Sequence, residues 1–366
     1  MKRNVIAGLA LSLLLTACAK PTDHGQQYID GNFDKVLNPV DTVVSEKVSD
    51  YTLFPDQLAE VEATSPSIAN KFNTLYSRVL NWRAAGGVPS NLTKYGISIQ
   101  QMGGGDNQGN VLFTGYFSPV IEMSRVPTPK YRYPVYKMPN CNGKCPTRAE
   151  IYAGALAGQG LELGYSDSLI DNFIMEVQGS GFVKFTDTEA LEYFAYGGKN
   201  GHAYVSIGRI LIERGEVERK DMSLKAIEEW VKRNDEETVL ELLNQNTSFV
   251  FFSPKSAQPV MGAASVPLLA GASVAADPKY FPMGSVLLAE VPQLNEQGQW
   301  TGQHVLKLLM ALDKGGAVKQ NHLDLYHGTG AQAGTHAGHH KHFGRVWRLN
   351  TLSMPEIELV KTLINP

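Results

Sequence analysis

Long apolar runs are scarce in this 366-residue chain. Beyond Val5–Leu15, no stretch approaches the ~20 apolar residues that a membrane helix needs, so the body of the chain is expected to sit in water. Cysteine is scarce too: three residues, Cys18, Cys141 and Cys145. The pair in CNGKC offers too few local ligands for zinc; it fits a small disulfide loop in an oxidising compartment, or two free thiols, and no catalytic role is assigned to it. A basic excess is also missing. The formal net charge is −3, which argues against a nucleic-acid partner. No internal repeat is present. Gly179-Ser180-Gly181 is not the Gly-x-Ser-x-Gly elbow of serine hydrolases, because apolar β sequence follows it.

What is present begins at the N-terminus. MKRNVIAGLALSLLLTAC has Lys2 and Arg3, a short apolar region and small residues before Cys18. Leu15-Thr16-Ala17-Cys18 looks like a bacterial lipobox, in which residues 1–17 are removed and Cys18 carries lipid. Ala19 then favours the outer membrane. The bland alternative is an ordinary secretory signal cut nearby. Removing the leader takes the net charge from −3 to −5, because it carries only Lys2 and Arg3. The polar stretch 19–50 reads as a tether.

Apolar positions Ile68, Phe72, Leu75, Tyr76, Val79 and Trp82 predict a helix over 66–85, stopped by Gly86-Gly87. GNVLFTGYFSPVIEMS (109–124) reads as a strand pair or bent strand. Thr147–Glu150 has the form of a capping box opening a short helix. DNFIMEVQGSGFVKF (171–185) reads as two strands around Gly-Ser-Gly, and 197–204 as a loop. Residues 206–216 and 223–245 read as helical, the second broken near Asn234, where Asn-x-x-Glu recaps it. From 247 onward the chain turns β: VPLLAGASVAAD, SVLLAEVP, HVLKLLMALD and GRVWRL are short strands at barrel-like spacing. A discontinuous barrel from 51–120 and 255–366, with 121–254 inserted, accounts for the change in composition.

Three aspartates fall at strand ends or on strands of that barrel. Asp277 follows GASVAA, Asp313 ends LLMAL, and Asp324 sits in HLDLY between Leu323 and Leu325. Aspartates commonly end strands and cap turns. A carboxyl between apolar neighbours, however, gains a raised pKa if it faces a partly desolvated groove. Such a group can protonate the leaving oxygen of a glycosidic bond. A hydrolase needs a second carboxylate, but a sugar that carries its own nucleophile does not. In peptidoglycan the C6 hydroxyl of N-acetylmuramic acid can attack its own C1, giving a 1,6-anhydro ring with one carboxyl as acid and then base. Gly315 and Gly316 would let the backbone approach a sugar face or bend sharply.

VAAD (274–277), ALDKGGAVKQ (311–320) and HLDLY (322–326) resemble the three-aspartate domain of the membrane-bound lytic murein transglycosylase A family. TGYFSPV (114–120), DNFIMEVQGSGF (171–182), GKNGHAYVSIG (198–208) and the lipobox are similar to the same family, in order, over about 65–350. The resemblance implies a mainly β fold with α-helices: a double-psi β-barrel domain, an inserted second β domain, and a glycan groove between them. It implies that Asp324 is the single acid/base and Asp313 the second acidic residue of the site. Leu323 departs from the usual aromatic of the His-Phe-Asp element. Thr114, Gly115 and Tyr116, with Gln178, Gly179, Ser180 and Gly181, are expected to line the groove. Lys199 and Asn200 are expected to meet N-acetyl or lactyl oxygens. Asp277 is either a substrate contact or structural. No cofactor is expected. The expected partners are peptidoglycan glycan strands, the outer membrane through the lipid, and cell-wall synthesis proteins.

Fifteen tyrosines suit a sugar groove, although tyrosines also pack in any β-rich protein. Histidines crowd the C-terminal part: His322, His327, His336, His339, His340 and His342. His336 and His340 have the i,i+4 spacing of metal-binding helices but lack the Glu of His-Glu-x-x-His, and Gly334 and Gly338 argue for a loop. Two other functions fit the barrel: a non-catalytic, expansin-like glycan binder, and an inverting hydrolase using Asp313 with Asp324.

Overall fold

The computed structural model describes residues 24–353 apart from 29–30, 220 and 257. The lipobox and Cys18 lie outside the described residues. In chain order the first elements are β1 (Leu37–Val40), β2 (Ser49–Asp50), α1 (Phe54–Thr64), α2 (Pro66–Ala84), β3 (Ile97–Met102) and β4 (Val111–Ser118). An inserted unit follows: β5 (Val120–Ser124), β6 (Tyr133–Tyr136), α3 (Arg148–Tyr152), β7 (Glu162–Ser166), α4 (Leu169–Gln178), β8 (Gly181–Phe185), β9 (Leu191–Lys199), α5 (Ile207–Glu213), α6 (Leu224–Arg233), α7 (Glu236–Asn244) and β10 (Val250–Lys255). The chain then returns through β11 (Ser273–Ala275), β12 (Ser285–Leu294), β13 (Trp300–Asp313), β14 (His322–Thr329), α8 (Ala331–His339), β15 (Lys341–Gly344) and β16 (Val346–Thr351).

Strands from both ends of the chain share one sheet, ordered β1-β3-β16-β12-β13-β11-β14-β4-β15, with β2 added on β13. Its β15 edge curls back on β12, where the Glu290 amide donates to the Arg345 carbonyl at 2.8 Å. The parallel pairs β4/β14 and β11/β13, with the short parallel pair β2/β13, sit inside an otherwise antiparallel sheet, and this is the double-psi β-barrel. Alternation fills it: Val111 and Phe113 of β4, with Leu323 and Leu325 of β14, belong to the interior cluster. Their neighbours Thr114, His322 and Asp324 are therefore turned to the outer face. The inserted strands form a separate sheet, β10-β9-β8-β5-β7-β6.

The helix expected over 66–85 is α2, which buries Leu75, Tyr76, Val79 and Trp82 against the barrel. The 109–124 segment is two strands, β4 and β5, but they lie in different sheets and do not pair with each other. The capping box at α3 is present, with Thr147 and Glu150 bonded reciprocally. The helical stretch 223–245 breaks at Asn234 as expected, but Asp235 is the new cap, accepting from the Thr238 amide at 2.8 Å.

Three segments differ from expectation. The first half of 171–185 is a helix, α4, capped by Ser168 and ended by Gly179 at φ 84°. It reads as a strand because Phe173, Ile174 and Met175 face three different apolar clusters, leaving no polar stripe to reveal the helical period. The histidine-rich segment is also a helix, α8. One of its two glycines serves packing: a Cβ at Gly334 would lie 2.9 Å from the Phe117 ring. The described residues of 24–50 are not a free tether. His24 pairs with the Lys341 carbonyl, β1 and β2 join the sheet, and Ser45 donates to Glu290 at 2.6 Å. Cys141 and Cys145 are disulfide-bonded.

Candidate active site

Register places the two acidic candidates around one residue. Ala275 of β11 opposes Asp324 on one side and Asp313 on the other, so the aspartates lie two strands apart, about 10 Å between backbones. Asp324 pairs in register with Thr114 of the parallel strand β4, and the Thr114 hydroxyl donates to its Oδ1 at 2.6 Å. Thr114 Oγ1 also lies 2.7 Å from Nε2 of His322. Tyr116, next on that face of β4, donates to Asp313 Oδ2 at 3.1 Å and packs against Tyr326 at 5.2 Å between ring centroids.

The carboxyls differ in what surrounds them. Burial pushes Asp324 up to about 6; the Thr114 hydrogen bond works against this and the charge of Asp313 adds to it. Burial also raises Asp313, but the Ala263 and Lys314 amides, each at 2.9 Å, and Tyr116 all donate to it. Asp313 is thus held by three donors, whereas Thr114 is the single protein hydrogen-bond partner of the Asp324 carboxyl among the described residues. Tyr116 lies far above its usual range through burial and the two nearby aspartates, so it stays a neutral donor.

The remaining candidates divide. Gln178 accepts from the Phe117 amide at 3.0 Å, pinning the end of α4 to β4. Gly179 is the αL terminator of that helix, Ser180 follows it half-buried, and Gly181 packs on Met175. This hinge stands beside the site, where Phe182, Tyr193 and Ala195 of the inserted sheet join the cluster that holds Tyr116 and Tyr326. A Cβ at Gly115 would come within 2.5 Å of the His327 ring of β14 and 2.8 Å of the Ala337 backbone of α8, so that glycine makes room for these packed elements, not for a sugar. Gly315 folds against Val318, while Gly316 is open.

Asp277 is a turn residue. Burial pushes its carboxyl up, but the Gln320 and Lys279 amides outweigh that and hold it below the usual range. Lys199 is exposed at the end of β9. Asn200 is buried and committed: its amide donates to Pro146 and Thr247, and its oxygen accepts from His202 and Phe249. It therefore has nothing left for a substrate. We expect Asn200→Ala to cost at least about 2 kcal/mol of stability by stranding these groups, without weakening glycan binding at temperatures where the variant is folded. Thermal unfolding alongside a sacculus pull-down checks both parts.

The other C-terminal histidines form a packing seam. His327 and His340 share a hydrogen bond of 2.9 Å, and burial holds His327 and His342 down to about 4. Among the described residues no group of three or more His, Cys, Asp or Glu is arranged to hold a metal ion. His322 is the residue that sequence reasoning passed over. Its signal was available: two positions before Asp324 on a strand, it has to share that face.

Comparison with known proteins then decides the family. The MltA specific insert domain matches 112–144 and 141–253, and the 3D domain matches 272–350. The membrane-bound lytic murein transglycosylase A of Vibrio cholerae is 57% identical over 355 residues, covering 97% of this chain and 96% of that protein. The chain belongs to the membrane-bound lytic murein transglycosylase A family. Its Escherichia coli K12 relative is 47% identical over 353 residues, covering 95% of this chain and 96% of the relative. The crystal structure of E. coli MltA with bound chitohexaose superposes with a TM-score of 0.84 at 47% identity, covering 92% of this chain and all of that one. Among the described residues, no helix of this family member is long and apolar enough to cross a membrane.

Proposed function

We infer that this chain is a peptidoglycan lytic transglycosylase that cleaves the β-1,4 bond between N-acetylmuramic acid and N-acetylglucosamine. The observation that carries the mechanism is the contrast between the carboxyls: Asp324 is raised to about 6 with one hydrogen bond, whereas Asp313 is held by three donors. Protonated Asp324 gives its proton to the bridging oxygen, and that C–O bond breaks. Positive charge develops at C1 of the muramyl ring, near two carboxyl groups. The Asp324 carboxylate then takes the proton of the C6 hydroxyl as its oxygen bonds to C1. One carboxyl serves both transfers, and no water enters the product. Asp313, held by three donors, is better suited to charge stabilisation and to holding the 263–264 turn than to activating water. The face carrying Thr114 and Tyr116 and the hinge at Gln178–Gly181 form the glycan wall, with Lys199 at its rim. The barrel supplies the proton chemistry, and the inserted 121–254 unit supplies the opposite wall. In this reading Cys18 carries the lipid that holds the enzyme at the outer membrane, facing the periplasm.

A general acid works only while protonated. With soluble glycan strands, kcat/KM is expected to fall about tenfold per pH unit above about 6. Mass spectrometry should find anhydromuropeptides throughout. Reducing-end products would mean a hydrolase, and binding without release a glycan-binding module.

A further inference from the structure

His322, Thr114 and Asp324 form a hydrogen-bonded chain on the outer face of β4 and β14. We propose that His322 and Thr114 are positioning residues that tie down Oδ1 of Asp324 and leave Oδ2 as the oxygen that moves the proton. This rests on the reading of Asp324 as the acid/base.

The geometry is specific. Thr114 has one hydroxyl hydrogen, and it goes to Asp324 Oδ1 at 2.6 Å. The 2.7 Å contact between Thr114 Oγ1 and His322 Nε2 must then be filled by the ring N–H, so His322 donates to Thr114. Both donations run towards Asp324. They strengthen each other and favour its ionised form, the state left after proton transfer. Oδ2 has no protein partner among the described residues, so it is the oxygen available to a glycan. The strand period explains why these side chains meet: His322 and Asp324 share a face, and Thr114 is Asp324's register partner. Leu323 and Leu325, on the opposite face, fix the strand in the barrel interior, so the outward side chains have little freedom.

The other groups facing Asp324 are accounted for. Asp313 of β13 raises it by charge. Tyr116 of β4 stays neutral and is spent on Asp313. Tyr326 of β14 is bonded to Ser118. The opposing residue of β11, Ala275, carries no charge. Burial keeps the His322 ring below its usual range, so it is neutral and has one N–H; the Ala317 carbonyl, which favours the cation, competes with Thr114 for it.

The test is the pH dependence of kcat/KM on soluble, uncrosslinked glycan strands for the full-length enzyme and its His322→Phe, His322→Gln, Thr114→Val and double His322→Phe/Thr114→Val variants. Loss of the His322 donor should cut kcat/KM about tenfold and move the alkaline limb up by about half a pH unit, because the carboxylate loses support. Thr114→Val should do the same or more. His322→Gln keeps an N–H donor and should restore wild-type behaviour to within about threefold. In the double variant His322→Phe should add nothing to Thr114→Val, because its effect passes through the missing hydroxyl. An unmoved or lowered limb in His322→Phe, or additive effects in the double variant, overturns the proposal. Asp324→Ala is run in parallel: if it is inactive while the other variants are unshifted, only this inference fails, and if it is active, the assignment of the acid fails first.

Discussion

Asp324→Ala is expected to lower the release of anhydromuropeptides from purified sacculi by about 10²- to 10⁴-fold, the range for removing a positioned general acid. Binding to sacculi should survive, since the glycan walls are untouched. The companion Asp324→Asn separates chemistry from stability. Folding holds this carboxyl at about 6, above its value of 3.8 when free, so the native state binds its proton more tightly than the unfolded state does. That contribution is favourable at low pH and is lost as pH rises from about 4 through about 6. Asparagine cannot ionise and can still accept from Thr114. Asp324→Asn should therefore be inactive yet more stable than the wild type at pH 7, by about 1–3 kcal/mol, with the advantage gone at pH 4. Denaturant unfolding at the two pH values measures it. Equal stability at pH 7 would mean that the side chain is not desolvated as described.

The largest stability effect is expected far from the acid, at Arg148 in the inserted unit. Its guanidinium is 1% exposed and meets Glu176 through two hydrogen bonds, of 2.8 and 3.1 Å. It also donates to the carbonyls of Asn246 and Ser248 and to the Tyr152 hydroxyl. Phe173 and Phe249 flank it, with ring centroids 4.8 and 5.1 Å away. One side chain thus joins α3, α4 and the segment leading into β10. Arg148→Met leaves Glu176 buried without a cation and is expected to cost about 3–5 kcal/mol. Adding Glu176→Leu should recover most of that, because the penalty lies in the stranded charge. Thermal unfolding of the singles and the double gives the answer, and a double less stable than Arg148→Met would mean that the pair contributes much more than mutual compensation.

How much of this the sequence disclosed depended on how local the cause was. Strands β4, β11, β12, β13 and β16 were legible as apolar runs closed by Gly, Pro or Asp, whereas β1, β2, β3 and β15, which lack such runs, were not. Helix α2 was legible because it keeps a polar face. Helix α4 was not, since it is apolar on three sides. Helix α8 was not, since Gly334 looks like a breaker until Phe117 is seen against it. Asp313 and Asp324 were found from strand position and resemblance, but what distinguishes them is non-local. Besides the neighbouring Lys314 amide, the donors to Asp313 arrive from residues 116 and 263, and among the described residues the only one to the Asp324 carboxyl comes from 114, 210 positions away. Asn200 was misassigned for the same reason: a polar residue in a glycine-rich loop looks available until its four partners are seen. The N-terminal stretch looked like a tether because its attachments, His24 to Lys341 and Ser45 to Glu290, reach across more than 240 residues.

The account rests on Asp324 holding a proton at a pH where ordinary carboxyls have lost theirs. The most direct measurement is the titration of its carboxyl carbon by ¹³C NMR, assigned by comparison with Asp324→Asn. A midpoint near 6 is expected, while a midpoint at or below about 4 would contradict the assignment of this group as the acid.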